Sequence, residues 1–225
     1  GGGFTVGASV SGAELGENAQ LVAAWPGVVE GAELIGSTQV QGRATMAGNL
    51  CNASPAADSV PALIAAGATC TVAGPNGQRE VPVQDIPTGP GKTSLAAGEF
   101  IINIKLPARP AHASDAYLRM IPRTEMDIAI VGAGVNLVLD DSGTCTEACV
   151  VLGAVGPTTI VVADAAAALV GGKVDDTALA AVAAAASAAA TPIDDKRGTV
   201  EYRTKVAGVM ASRAAAIAAD RARSK

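Results

Sequence analysis

Arg43-Ala-Thr-Met-Ala-Gly-Asn-Leu-Cys-Asn-Ala-Ser-Pro-Ala-Ala-Asp58 gathers small residues, polar side chains and a helix start into one short stretch. Ala47 and Gly48 let a ligand come close to the backbone, and a glycine also accepts positive φ. Thr45, Asn49 and Asn52 supply a hydroxyl and two amides as hydrogen-bonding groups. Ser54 as N-cap and Pro55 at the first helical position predict a helix whose open N–H groups favour an anionic ligand. Two readings stand side by side. One is a plain strand-turn-helix junction, since Gly, Asn, Ser and Pro are the ordinary vocabulary of turns and caps. The other is a grip for the phosphates and ribose of a nucleotide.

Working outward from this stretch, residues 4–8 read as a strand, and residues 11–24 and 28–35 as short helices punctuated by Gly16 and Pro26. Residues 55–66 form the expected helix, with Val60, Leu63 and Ile64 on one face and Gly67 as its stop. Strands follow at 69–73 and 79–83, joined through Pro75-Asn76-Gly77, and at 100–106, an apolar alternation closed by Pro107. Between them, Gly91-Lys92-Thr93 copies the end of a nucleotide-triphosphate loop. Ile86 occupies the place of that motif's first glycine and no helix follows, so the segment reads as a surface loop.

A polar, proline-marked linker at 108–115 separates a first domain, residues 1–107, from a second, residues 116–225. In the second, residues 117–121, 128–139 and 145–154 read as three strands, the last two joined by a hairpin through Asp140-Asp141-Ser142-Gly143. Alanine-rich helices are expected at 163–170, 175–189 and 200–222, with acidic starts and basic ends that suit the helix dipole. Asp194 and Asp195, beside Lys196 and Arg197, read as a solvated inter-helix loop and not as an acid-base pair.

Bulk properties exclude several functions. A net charge of −5 and a pI near 4.9 argue against a phosphate-backbone surface. Two Phe, two Tyr and one Trp leave little for bases to stack on. Nucleic acid is therefore not the expected partner. The alanine runs are too weakly hydrophobic to span a bilayer and no signal peptide opens the chain, so a cytoplasmic location is expected. Cys51, Cys70, Cys145 and Cys149 are expected to be reduced and structural. Cys145 and Cys149, four apart on one expected strand, would face the same side of it but lie too far apart for a bond. With no CxxC and only His112 as histidine, no metal site is expected.

Several stretches, in their order, resemble the medium, flavin-binding subunit of the molybdenum hydroxylases, the family of xanthine dehydrogenase and aerobic carbon monoxide dehydrogenase. Residues 39–49 resemble that family's second flavin loop, usually written TIGGN, and 52–58 its continuation. Tyr117-Leu-Arg-Met-Ile-Pro-Arg123, Met126-Asp-Ile-Ala-Ile-Val131, Leu152-Gly-Ala-Val-Gly-Pro-Thr158 and Glu201-Tyr-Arg-Thr-Lys-Val-Ala-Gly208 resemble its C-terminal domain. The resemblance implies an α+β architecture: the second subdomain of a two-part FAD-binding domain of the PCMH, vanillyl-alcohol-oxidase-like type, followed by a C-terminal domain with a three-stranded antiparallel sheet and helices.

The same resemblance implies FAD as cofactor. Thr45, Ala47, Gly48 and Asn49 would meet the pyrophosphate, with Asn52 close by, and Asp58 would accept from a sugar or ribityl hydroxyl. Ile35, Gly36 and Ile101 match flavin-contact positions, and Arg119 stands where relatives carry a cation near the isoalloxazine, stabilising anionic reduced flavin. Ile35 and Ile101 also read as core residues, and Arg119 as a surface cation. Ala47 in place of the first glycine requires negative φ at that residue. The family's N-terminal subdomain, with an Ala-Gly-Gly loop, has no counterpart in this chain, and that segment is expected to be separate or missing. The implied role is electron transfer from partner [2Fe-2S] clusters to an external acceptor, with a small [2Fe-2S] subunit and a large molybdopterin subunit as partners. A non-enzymatic assembly module derived from a flavin subunit is the alternative.

Overall fold

The computed structural model describes residues 2–225. Strand β1 (Phe4–Gly7) leads into five short helices: α1 (Gly12–Glu17), α2 (Ala19–Ala24), α3 (Pro26–Glu33), α4 (Thr38–Gln41) and α5 (Met46–Cys51). Helix α6 (Ser59–Ala65) precedes β2 (Thr69–Gly74), β3 (Gly77–Pro82), β4 (Pro87–Gly89), β5 (Lys92–Thr93) and β6 (Phe100–Leu106). Strands β7 (Ala113–Met120), β8 (Val131–Leu139), β9 (Cys145–Gly153) and β10 (Ile160–Val161) come next. Helices α7 (Ala163–Ala167), α8 (Asp176–Ala189) and α9 (Val200–Arg223) end the chain.

Two antiparallel sheets organise these elements, with strand orders β1-β6-β2-β3 and β10-β9-β8-β7. Burial along β6, shifted by a bulge between Ile101 and Asn103, puts Ile101, Ile104 and Leu106 into the first core with Val72, Leu50 and Leu63. The second sheet is covered on one face by α9 and on the other by α3 and α6. Seven fully buried alanines of α9, from Ala207 to Ala222, let that helix lie close on β7 and β8. Tyr117 and Val151 reach through the other face into the first core, so the two cores share a wall.

Three sequence expectations change at the level of elements. Residues 113–115, expected in the linker, are buried and form the start of β7, because they pair with β8. A fourth, two-residue strand, β10, adds to the second sheet by pairing with β9. Ser54 and Pro55 do not open a helix. Ser54 Oγ accepts from Ala56 N at 3.2 Å in a local turn, and α6 begins only at Ser59. A proline disfavours helical backbone in the residue before it, and Ala53 at φ +49° has already ended α5. The real N-cap lies earlier, at Thr45, whose side chain accepts from Gly48 N at 2.9 Å.

Cys145 and Cys149 do not face the same side. A β-bulge beside Leu139 inserts Thr146 into β9, and the slip sends Cys145 into the second core while Cys149 packs on the first. The 194–197 loop is also not simply solvated. Arg203 of α9, 4% exposed, donates to Asp195 Oδ1 at 2.7 Å and to Ile130 O at 2.9 Å. A buried guanidinium needs an anion and acceptors, and the loop supplies them. Gly91-Lys92-Thr93 lies in the β4–β5 hairpin, whose Gly91 N donates to Ala53 O at 3.0 Å.

Candidate functional site

Asp58 is the N-cap of α6 by position, yet its carboxylate makes no cap bond. Asn49 does that work from α5, its Oδ1 accepting from Ser59 N at 3.2 Å and from Ser59 Oγ at 2.8 Å. The Asp58 carboxylate is thereby free to turn toward β7. Tyr117 Oη donates to its Oδ1 at 3.0 Å, and Arg119 Nη1 donates to its Oδ2 at 2.9 Å. The same Arg119 nitrogen donates to Leu34 O at 2.8 Å, tying the 34–36 turn to the pair.

Both charged side chains are nearly sealed, Arg119 at 6% and Asp58 at 10% side-chain exposure. Burial pushes the Asp58 carboxyl up to about 6, against the pull of the Arg119 charge and the hydrogen bonds from Tyr117 and Arg119. Burial also raises the Tyr117 phenol well above its ordinary value, reinforced by the neighbouring Asp58 charge. Tyr117 is therefore a fixed donor.

Asp58 and Arg119, with Gly36, line a cavity of about 260 Å³ whose other wall is Arg123, Met126, Asp127, Ile128 and Arg197. Gly36 has φ +71° and a Cβ there would sit 2.9 Å from Val40, so the turn requires glycine. Asp127 accepts from Arg197 at 2.8 Å and from Arg123 at 3.0 Å, which holds the two arginines on the rim. Their hydrogen bonds, led by that from Arg197, keep the Asp127 carboxyl far below the usual range.

The structure thus brings Gly36, Asp58 and Arg119 to one cavity, with Ile35 beside Gly36 and Asn49 one hydrogen bond from the Asp58 segment. Thr45 and Gly48 form the first turn of α5, where Gly48 is exposed. Ala47 lies in the same turn in helical backbone, 6% exposed against the first core. Asn52 is exposed at the C-cap of α5, and Ile101 lies in the core of the first sheet, not on this cavity. The sequence reading missed Tyr117, Arg123, Asp127 and Arg197. For Tyr117 the signal was available: Asp115, Tyr117 and Arg119 alternate along one strand and so share one face.

A dinucleotide fits these residues by their chemistry. The cavity takes only part of such a ligand, and it offers a carboxylate acceptor and an arginine donor. The exposed, side-chain-free Gly48 leaves the start of α5 open to a close approach. Among the described residues no cluster of His, Cys, Asp or Glu gathers to hold a metal ion. No described helix is long and apolar enough to cross a membrane.

Two family models divide the chain. Residues 1–109 match the FAD binding domain in molybdopterin dehydrogenase, and residues 116–218 match the CO dehydrogenase flavoprotein C-terminal domain. The carbon monoxide dehydrogenase medium chain of Afipia carboxidovorans is 33% identical over 203 residues, 90% of this chain and 70% of that one. The xanthine dehydrogenase FAD-binding subunit of Escherichia coli O157:H7 is 30% identical over 71% of this chain, a match spanning about half, 54%, of that relative's length. Among solved structures, reconstituted CO dehydrogenase from Oligotropha carboxidovorans superposes with a TM-score of 0.92 at 32% identity, covering 98% of this chain and 77% of that one. The chain belongs to the family of FAD-binding medium subunits of the xanthine and carbon monoxide dehydrogenases.

Proposed function

We propose that this chain is the FAD-binding electron-transfer subunit of a molybdopterin-dependent dehydrogenase, relaying electrons from partner [2Fe-2S] clusters to an external acceptor. The observation that carries the reading is the Asp58–Arg119 pair, 2.9 Å apart and open to a cavity beside Gly36, inside a chain of this family. Substrate chemistry belongs to another subunit, so no acid, base or nucleophile is required here. When bound, the flavin supplies the redox chemistry, and the chain's residues hold and orient it.

In this reading Thr45, Ala47, Gly48 and Asn49 meet the pyrophosphate through the start of α5, and Asn52 stands close by. Asp58 accepts from a ribityl or sugar hydroxyl. Arg119 places a cation beside the isoalloxazine, and Ile35 and Gly36 shape the pocket. The partners are a small [2Fe-2S] subunit and a large molybdopterin subunit. The assembly works in the cytoplasm. Residues 1–107 form one domain, and the second begins with β7 at Ala113, so residues 108–112 join them. Flavin absorbance of the purified complex tests the reading: Asp58→Ala lowers FAD content, and unchanged content refutes the placement of Asp58. A purified complex that carries no FAD leaves the assembly-module alternative.

A further inference from the structure

We infer that Tyr117 is a positioning residue for the flavin: by fixing the Asp58 carboxylate it decides how that carboxylate meets a hydroxyl of the bound cofactor. The inference rests on the flavin reading above and adds a residue to it.

The geometry runs from the strand outward. Tyr117 N donates to Glu30 Oε2 of α3 at 2.9 Å, and the ring is 2% exposed within the first core, so its position is set by the fold and not by a ligand. Its hydroxyl reaches Asp58 Oδ1 at 3.0 Å, while Arg119 takes Oδ2 at 2.9 Å. With one donor on each oxygen the carboxylate cannot rotate, yet each oxygen keeps a lone pair. Asp58 lines the cavity, and a ligand hydroxyl there finds an acceptor already oriented.

The charged groups facing Asp58 are Arg119 on β7, Arg123 and Asp127 on the following loop, and Arg197 from the 194–198 loop, with Glu30 behind Tyr117 on α3. Arg119 and the Tyr117 hydroxyl favour the ionised carboxylate, and burial opposes them. Removing the hydroxyl therefore makes Asp58 easier to protonate.

Titration of the full-length apoprotein with FAD, followed by flavin fluorescence across pH 5 to 8, tests this. Tyr117→Phe removes one oxygen and no packing volume. It is expected to weaken FAD by about tenfold near neutral pH, the scale of a hydrogen bond to a charged group. It is also expected to move the pH at which affinity falls to a higher value than in the wild type. Asp58→Asn flattens that pH dependence, and adding Tyr117→Phe to it costs less than about twofold further, because the tyrosine acts through the carboxylate. An unmoved midpoint in Tyr117→Phe, or a loss that simply adds to that of Asp58→Asn, overturns the inference and makes Tyr117 a packing residue. Failure of the flavin reading looks different. Asp58→Asn and Arg119→Gln then both keep wild-type affinity, or the wild type takes up no FAD, and the inference falls with the reading.

Discussion

Asp58 and Asp115 are two buried carboxylates, each paired with an arginine at 2.8–2.9 Å, one docked against β7 and the other carried on it. Burial pushes both up to about 6, in each case against the charge of its arginine. Their surroundings differ. Asp115 is closed in: Arg109 takes Oδ1, Val28 N donates to Oδ2 at 3.0 Å, and the Arg109 guanidinium stacks 3.6 Å above the Trp25 ring. Arg221 of α9 donates to the Asp115 carbonyl and to Glu30, so this pair binds α3, β7 and α9 into one unit. Asp58 has a phenol on one side and a cavity on the other. The same ion pair serves as a clamp where every donor is protein and as a binding site where one wall is open. Exposure to a ligand, not charge chemistry, separates them.

That contrast can be broken at several points. Asp115→Ala should cost the most, about 3–5 kcal/mol in chemical denaturation, because it strands a buried guanidinium. Gly27→Ala attacks the same clamp through packing. Its Cβ would lie 2.7 Å from Ala116 N and from Asp115 Oδ2, and a loss of about 1–3 kcal/mol is expected. Asp58→Ala should show the opposite balance: FAD content falls while the stability cost stays below that of Asp115→Ala, since Arg119 keeps the Leu34 carbonyl and borders the cavity.

The pH dependence of stability sharpens the comparison further. Both carboxyls have folded values of about 6, above the ordinary 3.8, so the folded state binds their protons more tightly than the unfolded chain does. Stability should therefore rise as pH is lowered from 7 toward 5, and fall as pH rises through the window between those two values. Glu99, held down to about 2 chiefly by its hydrogen bond from Arg79, works the other way as pH falls through its ordinary 4.5, so the slope is read above pH 5. Asp115→Asn should reduce the slope, and a flat profile in the wild type would contradict both shifts. The smallest effect is expected at Thr45→Ala, about 1 kcal/mol for loss of an N-cap, read by thermal denaturation.

Much of the fold was legible along the chain. Strand β6 was read at its true limits, and β2, β8, β9, α8 and α9 within a few residues, because alternation and alanine-rich helical stretches are local signals. The errors fell where a local signal had two uses. Ser54-Pro55 is a helix opening by vocabulary, but the chain uses it as a turn, and Thr45 caps the earlier helix. The Cys145 and Cys149 faces followed strict alternation until a single inserted residue reversed one of them.

For the site, the residue types of the 43–58 stretch and their resemblance to a flavin loop were open to reading, since small residues, amides and a carboxylate advertise their chemistry locally. Which of them work together was not. Asp58 meets Tyr117 and Arg119 across 59 and 61 positions of chain, and only the docking of α6 on the second sheet brings them together. Asn49 takes over the capping of α6 and releases Asp58, an exchange that depends on α5 and α6 lying side by side. Sequence by itself determined most of the longer elements and what chemistry they carry, because those follow from periodicity and side-chain type. Tertiary structure alone decided which buried carboxylate is sealed into a clamp and which faces a cavity, because burial and access are properties of packed surfaces and not of the order of residues.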